Sequence, residues 1–472
     1  MLHQTEETHT STHKSSLASC TRRWSDRLDV AFRYGVLSLA LLVLAACGGG
    51  SQSPSTVLIP TTTVLSTTTT TMQHSAVTYL HVFGIDPSDG AQPTGPLLQA
   101  SDGNFYGTTA SGGAYICSGL YDMPCGTIFM LKPNGETSVL YSFGGSANDG
   151  SWPTAPLIQG KDGAIYGMTT IGGRYGAGTV FKITLDGVYT ALHSFGESAA
   201  DGVVPVGGLV QAADGYFYGA TASGGANHCI QIPSDNGNCG TIFRMSSTGD
   251  TTIVYSFGAS PSDGVTPNGT LLQGSDGNLY GTTLNGGGTV FKVTPGGVLT
   301  TLHSFGTSFS DGAAPQGPLI QGSDGAFYGI TVAGGGYGEW CYQAYGCGTV
   351  FKLTSDGSVT ILYSFGAGSK LDGTGPAPYL IQARDGNFYG TTRSGGANGG
   401  SSTNGTAFRL TPSGVITTLY SFGPSDTNPS HPAGGLIEGR DGAFYGSTFY
   451  NGRLGASGAR FGSGTLFKLV IN

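Results

Sequence analysis

The chain has 472 residues, of which 83 are glycine and only 10% are charged, and its formal net charge is -8. The glycines follow no Gly-X-Y period, which excludes collagen, and aromatic residues are spread along the chain, which argues against general disorder. An acidic chain without a basic patch predicts no nucleic-acid partner.

The first predicted element is an export signal. Basic residues precede an apolar stretch at 34–46, which is shorter than the ~20 residues that a membrane-spanning helix needs. The stretch ends in Leu44-Ala45-Ala46-Cys47, which resembles the lipobox of bacterial lipoproteins. The resemblance implies cleavage before Cys47, lipidation of its thiol and, because Gly48 rather than aspartate follows, a place in the outer membrane. An ordinary signal peptide with a chance cysteine is the alternative.

A tether and a repeat region follow the signal peptide at 1–46. Residues 47–74 hold the lipidated cysteine and a Thr/Ser/Gly-rich segment without apolar periodicity, which predicts a flexible tether. In the remaining domain, 75–472, the phrase Asp-Gly-x-x-Tyr-Gly occurs seven times, with the tyrosines Tyr106, Tyr166, Tyr218, Tyr280, Tyr328, Tyr389 and Tyr445. Each copy has the pattern of four short strands joined by tight Asp-Gly turns, with one loop of variable length between the second and third strands.

The repeat predicts an all-β fold, a seven-bladed β-propeller of four-stranded antiparallel blades, because radial stacking covers both faces of each small sheet. The ends of the chain predict how the ring closes. Residues 77–84 match a fourth strand and precede the first complete unit, whereas the last unit stops after its third strand at 464–469. We therefore expect the N-terminal strand to pair into the last blade.

The tandem unit resembles the GloVer (Gloeo/Verruco) repeat of bacterial choice-of-anchor proteins. The matching phrases are Leu-Ile-Gln-Gly-x-Asp-Gly-x-Phe-Tyr-Gly, Gly-Thr-Val-Phe-Lys and Leu-Tyr-Ser-Phe-Gly, and they recur from about residue 77 onwards. The resemblance implies an envelope protein whose relatives attach by different anchors. It implies no defined activity.

Six cysteines form three local pairs in the loops between second and third strands. An even count of locally paired cysteines in an exported chain predicts disulfides. The pairs are Cys117 with Cys125, Cys229 with Cys239, and Cys341 with Cys347. Zinc is the alternative, but no Cys-x-x-Cys accompanies them. No cofactor or metal site is predicted, although the repeated aspartates of the blade connections leave calcium open.

The predicted binding surface is the face that carries the variable loops and the blade connections, because variable loops on a rigid scaffold commonly bind partners. Its aromatic side chains suit stacking on sugars or packing on a protein, or else they cover their own loops. The candidates are Tyr115, Tyr121, Trp152, Tyr337, Trp340, Tyr342 and Tyr345.

Glu438 is a further candidate, because it breaks the repeat. It stands where the other six first strands have a glutamine, and we expect those glutamines to bond the backbone of the neighbouring blade.

Together these features favour a monomeric outer-membrane lipoprotein whose propeller is a binding or scaffold module for a glycan or an envelope protein. The alternatives are a polysaccharide-active lyase or glycosidase and a purely structural surface protein. No Gly-x-Ser-x-Gly elbow or P-loop occurs. If the protein is an enzyme, we expect a cleft with clustered ionisable groups whose pKa values are shifted. If it is a binding module, we expect exposed aromatic residues without such a cluster.

Overall fold

The computed structural model describes residues 75–117, 123–198, 200–227, 229, 239–285, 287–335, 346–366, 370–397, 404–423, 429–450 and 463–471. These residues form antiparallel sheets and three single-turn 3-10 helices, Pro87–Asp89, Phe309–Asp311 and Lys370–Asp372. In the described part of the chain, no helix is long and apolar enough to cross a membrane.

Seven four-stranded antiparallel blades make a β-propeller, as the repeat predicts. The first, innermost strands are Ala91–Pro93 with Leu98–Gln99, Ile158–Gln159, Gly202–Gln211, Leu272–Gln273, Ala313–Gln321, Thr374–Pro376 with Ile381–Gln382, and Ser430–Pro432 with Ile437–Glu438. The second strands are Phe105–Ser111, Ile165–Thr169, Phe217–Gly224, Leu279–Thr283, Phe327–Ala333, Phe388–Ser394 and Phe444–Tyr450. The third strands are Thr127–Leu131, Thr179–Ile183, Thr241–Met245, Thr289–Val293, Thr349–Leu353, Thr406–Leu410 and Thr465–Ile471.

The outermost, fourth strands are Thr137–Ser142, Tyr189–Ser194, Thr251–Ser256, Leu299–Ser304, Val359–Ser364, Ile416–Ser421 and, in blade 7, Ser75–Val82. Two further pairs of short strands lie in the loops, Gly150–Ser151 with Ile171–Gly172, and Ile116–Cys117 with Met123–Pro124. Because strands alternate in direction, the Asp-Gly turns lie on one face of the disc, and the variable loops and blade connections lie on the other, here called the loop face.

The ring closes in the predicted way. Ser75–Val82 pairs antiparallel with Thr465–Ile471, with Ser75 opposite Ile471 and Val82 opposite Thr465. Phe83 follows this strand, is fully buried, and lies 5.0 Å from the ring of Phe129 in blade 1. The N-terminal strand therefore completes blade 7 and packs it against blade 1.

A second closed ring of contacts between blades lies nearer the axis, where the chain bulges within or just before each first strand. In blade 3 the register shifts between Val206 and Val210, and the bulging residues meet the equivalent segment of blade 4. A Cβ on Gly434 of blade 7 would lie 2.6 Å from the carbonyl oxygen of Gly95 in blade 1, so this second ring also closes. We call these seven segments the inner ring; they are 94–96, 154–156, 206–208, 268–270, 316–318, 377–379 and 433–435.

The repeated aspartates are part of the scaffold. In every blade the tyrosine of the repeat donates its hydroxyl hydrogen to the aspartate of the preceding turn, as Tyr106 does to Asp102 at 2.7 Å. The connection aspartates bond the fourth strand in the same systematic way, as Asp149 does with the hydroxyl of Tyr141 at 2.8 Å. Histidine replaces this tyrosine in some blades, and His303 bonds Asp311.

Candidate functional site

Of the two aromatic candidates among the described residues, Tyr115 is more exposed than Trp152. Its side chain is 47% exposed, and its ring edge lies just above the position that a Cβ on Gly145 would take. Its carbonyl oxygen accepts a hydrogen bond from the Cys125 N–H at 3.3 Å, so the backbone beneath the ring is fixed. The candidates Tyr121, Tyr337, Trp340, Tyr342 and Tyr345 lie outside the described residues.

Disulfides fasten these loops to the propeller. Cys117 bonds Cys125, and Cys229 bonds Cys239, as the local pairing predicts. Cys347 is also disulfide-bonded, and its predicted partner Cys341 lies outside the described residues. Cys125, Cys239 and Cys347 are buried and lie two residues before the third strands of their blades, so each bridge ties a variable loop to a fixed part of its blade.

Trp152 belongs to a set of seven equivalent residues that the sequence analysis missed. All have a left-handed backbone, all precede a proline, and each donates its N–H to a carbonyl oxygen of the preceding blade at 2.8–3.1 Å. We call them the left-handed ring; its members are Gln92, Trp152, Val204, Thr266, Ala314, Gly375 and His431. For Trp152 the accepting carbonyl belongs to Cys125, one end of a disulfide.

The left-handed ring holds backbone strain two residues before the inner-ring segment of each blade. A left-handed conformation disfavours residues with a Cβ, by about 1–2 kcal/mol each, and Val204 and Thr266 are branched at that atom. Six of the seven members nevertheless retain a side chain. Strain of this kind persists where the surrounding structure enforces it, here through the bond to the preceding blade, and Trp152 thereby projects from a fixed backbone.

The glutamine row is structural, and Glu438 joins it. Gln159 accepts the N–H of Ser101 in blade 1 and donates to the Gly163 carbonyl of its own turn, both at 2.8 Å. Glu438 accepts the N–H of Arg384 at 2.9 Å, and its carboxylate lies 3.5 Å from the Arg384 guanidinium. The pair lies on the Asp-Gly face, so the structure does not bring Glu438 together with Tyr115 or Trp152, the two aromatic candidates among the described residues.

The junction of blades 6 and 7 departs from the repeat at two described residues, Tyr379 and Arg393. Tyr379 is the one aromatic residue of the inner ring, and its ring lies against Gly435 of blade 7, where a side chain would clash. On the neighbouring strand, Arg393 stands where the other blades have an uncharged residue, namely Ala110, Thr170, Ala222, Leu284, Val332 or Phe449. Comparison of equivalent positions in the repeats is the sequence signal that finds both residues.

Both side chains of this pair are half-buried. Burial raises the pKa of Tyr379 to about 12 and lowers the pKa of the Arg393 guanidinium, and the two groups interact electrostatically. In the repeated Tyr–Asp pairs, by contrast, burial and then the hydrogen bond to aspartate raise the pKa of the tyrosine. The pair in blade 6 is therefore distinct from the scaffold pattern.

One cleft and the distribution of possible metal ligands bear on catalysis and metal binding. A shallow cleft of about 340 Å³ between blades 2 and 3 includes His193, Glu197 and Asp201, with His193 Nε2 3.7 Å from Asp201. This His–Asp pair repeats the arrangement of His303 and Asp311, so we interpret it as part of the repeated scaffold. Across the described residues no group of three His, Cys, Asp or Glu side chains is arranged to hold a metal ion.

The fold and the loop face define a repeat-built β-propeller with one uniform and one variable face. The Gloeobacter/Verrucomicrobia repeat family matches residues 61–260, 233–341 and 337–472, and the chain belongs to this family. No curated protein matches the sequence significantly.

Solved structures share the fold at low identity. Two are described as extracellular domains of hybrid two-component systems from B. thetaiotaomicron, with TM-scores of 0.52 and 0.50 and identities of 11% and 12%. The alignments cover 84% and 82% of this chain, but only 43% and 40% of those chains, so this chain spans about two fifths of their length. A periplasmic gluconolactonase from Pseudomonas aeruginosa has a TM-score of 0.45 and 15% identity, with 81% of this chain and 99% of that chain covered.

Proposed function

We propose that the protein is a cell-envelope binding or scaffold module that presents its loop face to a glycan or to an envelope protein. The observation that carries this proposal is the contrast between the two faces. The Asp-Gly face repeats one turn in every blade, whereas the loop face differs from blade to blade and carries the disulfide-fastened loops. Rigid scaffolds with variable loops commonly bind through those loops.

The described aromatic residues support binding. Tyr115 is half exposed above a fixed backbone, and Trp152 starts from a strained position that two bonded blades hold in place. Rigid aromatic side chains of this kind bury a large area at a low cost in conformational entropy, which favours them as anchors for sugars or proteins. The ionisable groups with shifted pKa values belong mainly to repeated scaffold pairs, which favours binding over catalysis.

The disulfide bonds of the loops support an envelope location, because disulfides persist in oxidising compartments. In the proposal, lipidation at Cys47 anchors the chain in the outer membrane, and residues 48–74 tether the propeller to it. Cys47→Ser should release the protein from the membrane fraction and abolish incorporation of labelled acyl chains, whereas unchanged fractionation would contradict the anchor.

A glycan array and an envelope-protein pull-down with the chain from residue 48 onwards test the binding role. Trp152→Ala or Tyr115→Ala should weaken capture by roughly tenfold or more, as truncation of an aromatic anchor does. Tyr216→Ala is the matched control, because Tyr216 is 38% exposed in an Asp-Gly turn on the opposite face. Equal losses in all three variants would place binding elsewhere.

A further inference from the structure

A single arginine, Arg393, distinguishes the junction of blades 6 and 7 from the equivalent positions of the repeat. Arg393 lies near the end of the second strand of blade 6, on the side of the sheet that faces blade 7, and it is partly accessible to solvent. Within the described residues its guanidinium makes no ion pair or hydrogen bond. Buried or half-buried charges are costly unless they are paired, so an arginine kept here needs an explanation.

Blade 6 also has space next to this arginine. Gly375 lies opposite Arg393 in the pairing of the first and second strands, and it is the one member of the left-handed ring without a side chain. A Cβ at Gly375 would meet no atom within 4 Å. Blade 6 therefore has both the arginine on its second strand and a member of the left-handed ring without a side chain.

A buried hydroxyl points to the same place. Thr391, two residues before Arg393 on the same side of the strand, is fully buried, and its Oγ1 has no hydrogen-bond partner in the described structure. In blade 4 the equivalent hydroxyl of Thr282 donates to the Asn268 carbonyl at 2.6 Å. In blade 6 the backbone bond of this segment is kept, because the Ala377 N–H donates to the Thr391 carbonyl at 2.8 Å, but the hydroxyl bond is absent; Ser447, the equivalent residue of blade 7, lacks it as well. Unsatisfied buried groups indicate a missing water, ion or ligand.

We propose that the junction of blades 6 and 7 is an anion-binding site, in which Arg393 and the Tyr379 hydroxyl bind the carboxylate of a small ligand that enters from the loop face. A planar guanidinium accommodates the two oxygens of a carboxylate in a bidentate pair, and a tyrosine hydroxyl donates to the same group. One cation matches one negative charge, and a chain of net charge -8 disfavours polyanions. The site rests on residues other than the loop aromatics, so its test is separate from that of the proposed function.

The test is thermal unfolding of the full chain from residue 48 with D-galacturonate, a carboxylated hexose. A ligand that binds the folded state alone raises the melting temperature. We expect galacturonate to raise it saturably, and neutral D-galactose to leave it unchanged. No shift with galacturonate, an equal shift with galactose, or a larger shift with inorganic phosphate would overturn the assignment.

Three variants test whether the shift in melting temperature with galacturonate depends on Arg393 and Tyr379. Arg393→Val installs the residue type that blade 5 has at Val332, and it should abolish the galacturonate shift without lowering the melting temperature of the unliganded protein. Tyr379→Phe should weaken binding by roughly tenfold, because it removes one bond to a charged group. Arg409→Gln, on the third strand of the same blade, is the charge-matched control and should retain the full shift. A shift that survives Arg393→Val, or a large loss of stability in that unliganded variant, would show that the guanidinium serves the fold instead.

Discussion

At the scale of single residues, the most repeated interaction is the tyrosine–aspartate bond below each Asp-Gly turn. Burial raises the pKa of these tyrosines, and the bond to the carboxylate raises it further; for Tyr218 it reaches about 12. Partial burial opposes ionisation of partner aspartates such as Asp276, but hydrogen bonds from Asn278 and then Tyr280 outweigh it and lower the pKa of this carboxyl. The folded ring therefore favours neutral tyrosine beside ionised aspartate.

This pairing predicts a steep alkaline transition. Unfolded tyrosine ionises near pH 10, whereas the folded tyrosines hold their protons to higher pH, so their contribution to stability is complete below about pH 10 and is lost as the pH rises above it. Absorbance at 295 nm and circular dichroism should therefore change together above about pH 10. Ionisation of all tyrosines near pH 10 with the fold intact would contradict this.

The contribution of one such tyrosine–aspartate hydrogen bond to stability should be measurable at neutral pH. Tyr218→Phe removes the donor that lies 2.8 Å from Asp214 and should lower the free energy of unfolding by about 1–2 kcal/mol. Tyr216→Phe, in the same turn but exposed, is the control and should change it little. Denaturant unfolding of the two variants makes the comparison, and equal values would show that the bond adds nothing to stability.

At the scale of elements, the inner ring depends on glycine where neighbouring bulges touch. Gly317 of blade 5 has φ +81° and approaches the Pro378 carbonyl of blade 6 so closely that a Cβ would overlap it. Gly325, in the Asp-Gly turn of the same blade, also has φ +81°, but a Cβ there would meet nothing within 4 Å.

These two glycines separate backbone strain from blade contact. Gly325→Ala should cost about 1–2 kcal/mol, the penalty of the left-handed backbone alone. Gly317→Ala carries the same penalty plus a clash between blades, and it should cost several kcal/mol more or prevent folding. Denaturant unfolding decides the matter, since equal costs would show that the inner ring can relax.

The disulfide-closed loops should be separable from the blades that carry them. Replacing both Cys117 and Cys125 by serine should free the segment around Tyr115 and lower stability by about 2–3 kcal/mol on the chain-entropy model. Near-native β content with faster proteolysis in this loop is the expected result. Loss of the whole fold would mean that the bridge supports the ring itself.

The sequence predicts the elements well because each depends on local pattern. Asp-Gly turns and alternating strands identify the blades, and the unmatched strand at 77–84 identifies the closure. The left-handed ring escaped prediction because a residue before proline, such as Val204, favours extended backbone; the bond to the Ala177 carbonyl overrides that preference, and it exists only once two blades meet. The closeness of Tyr379 to Gly435 likewise depends on packing between blades.

At the scale of the whole molecule, closure by Ser75–Val82 predicts an asymmetric response to truncation. Deleting 75–84 exposes the edge of Thr465–Ile471 and removes the fully buried Phe83, so it should cost several kcal/mol and promote aggregation. Deleting 50–72, within the predicted tether, is the control and should leave the melting temperature unchanged. If the two deletions melt alike, the closing strand is dispensable.

The same closure imposes an order on synthesis. Val82 and its partner Thr465 are about 380 residues apart, so at ~5–20 residues per second the closing strand waits on the order of 20 to 80 s for the segment it pairs with. Blades 1 to 6 are formed from contiguous stretches of chain and can fold as they emerge, whereas blade 7 can form only from both ends together. A chain whose synthesis stops before Thr465 therefore leaves the edge of Ser75–Val82 unpaired, and only the synthesis of Thr465–Ile471 covers it.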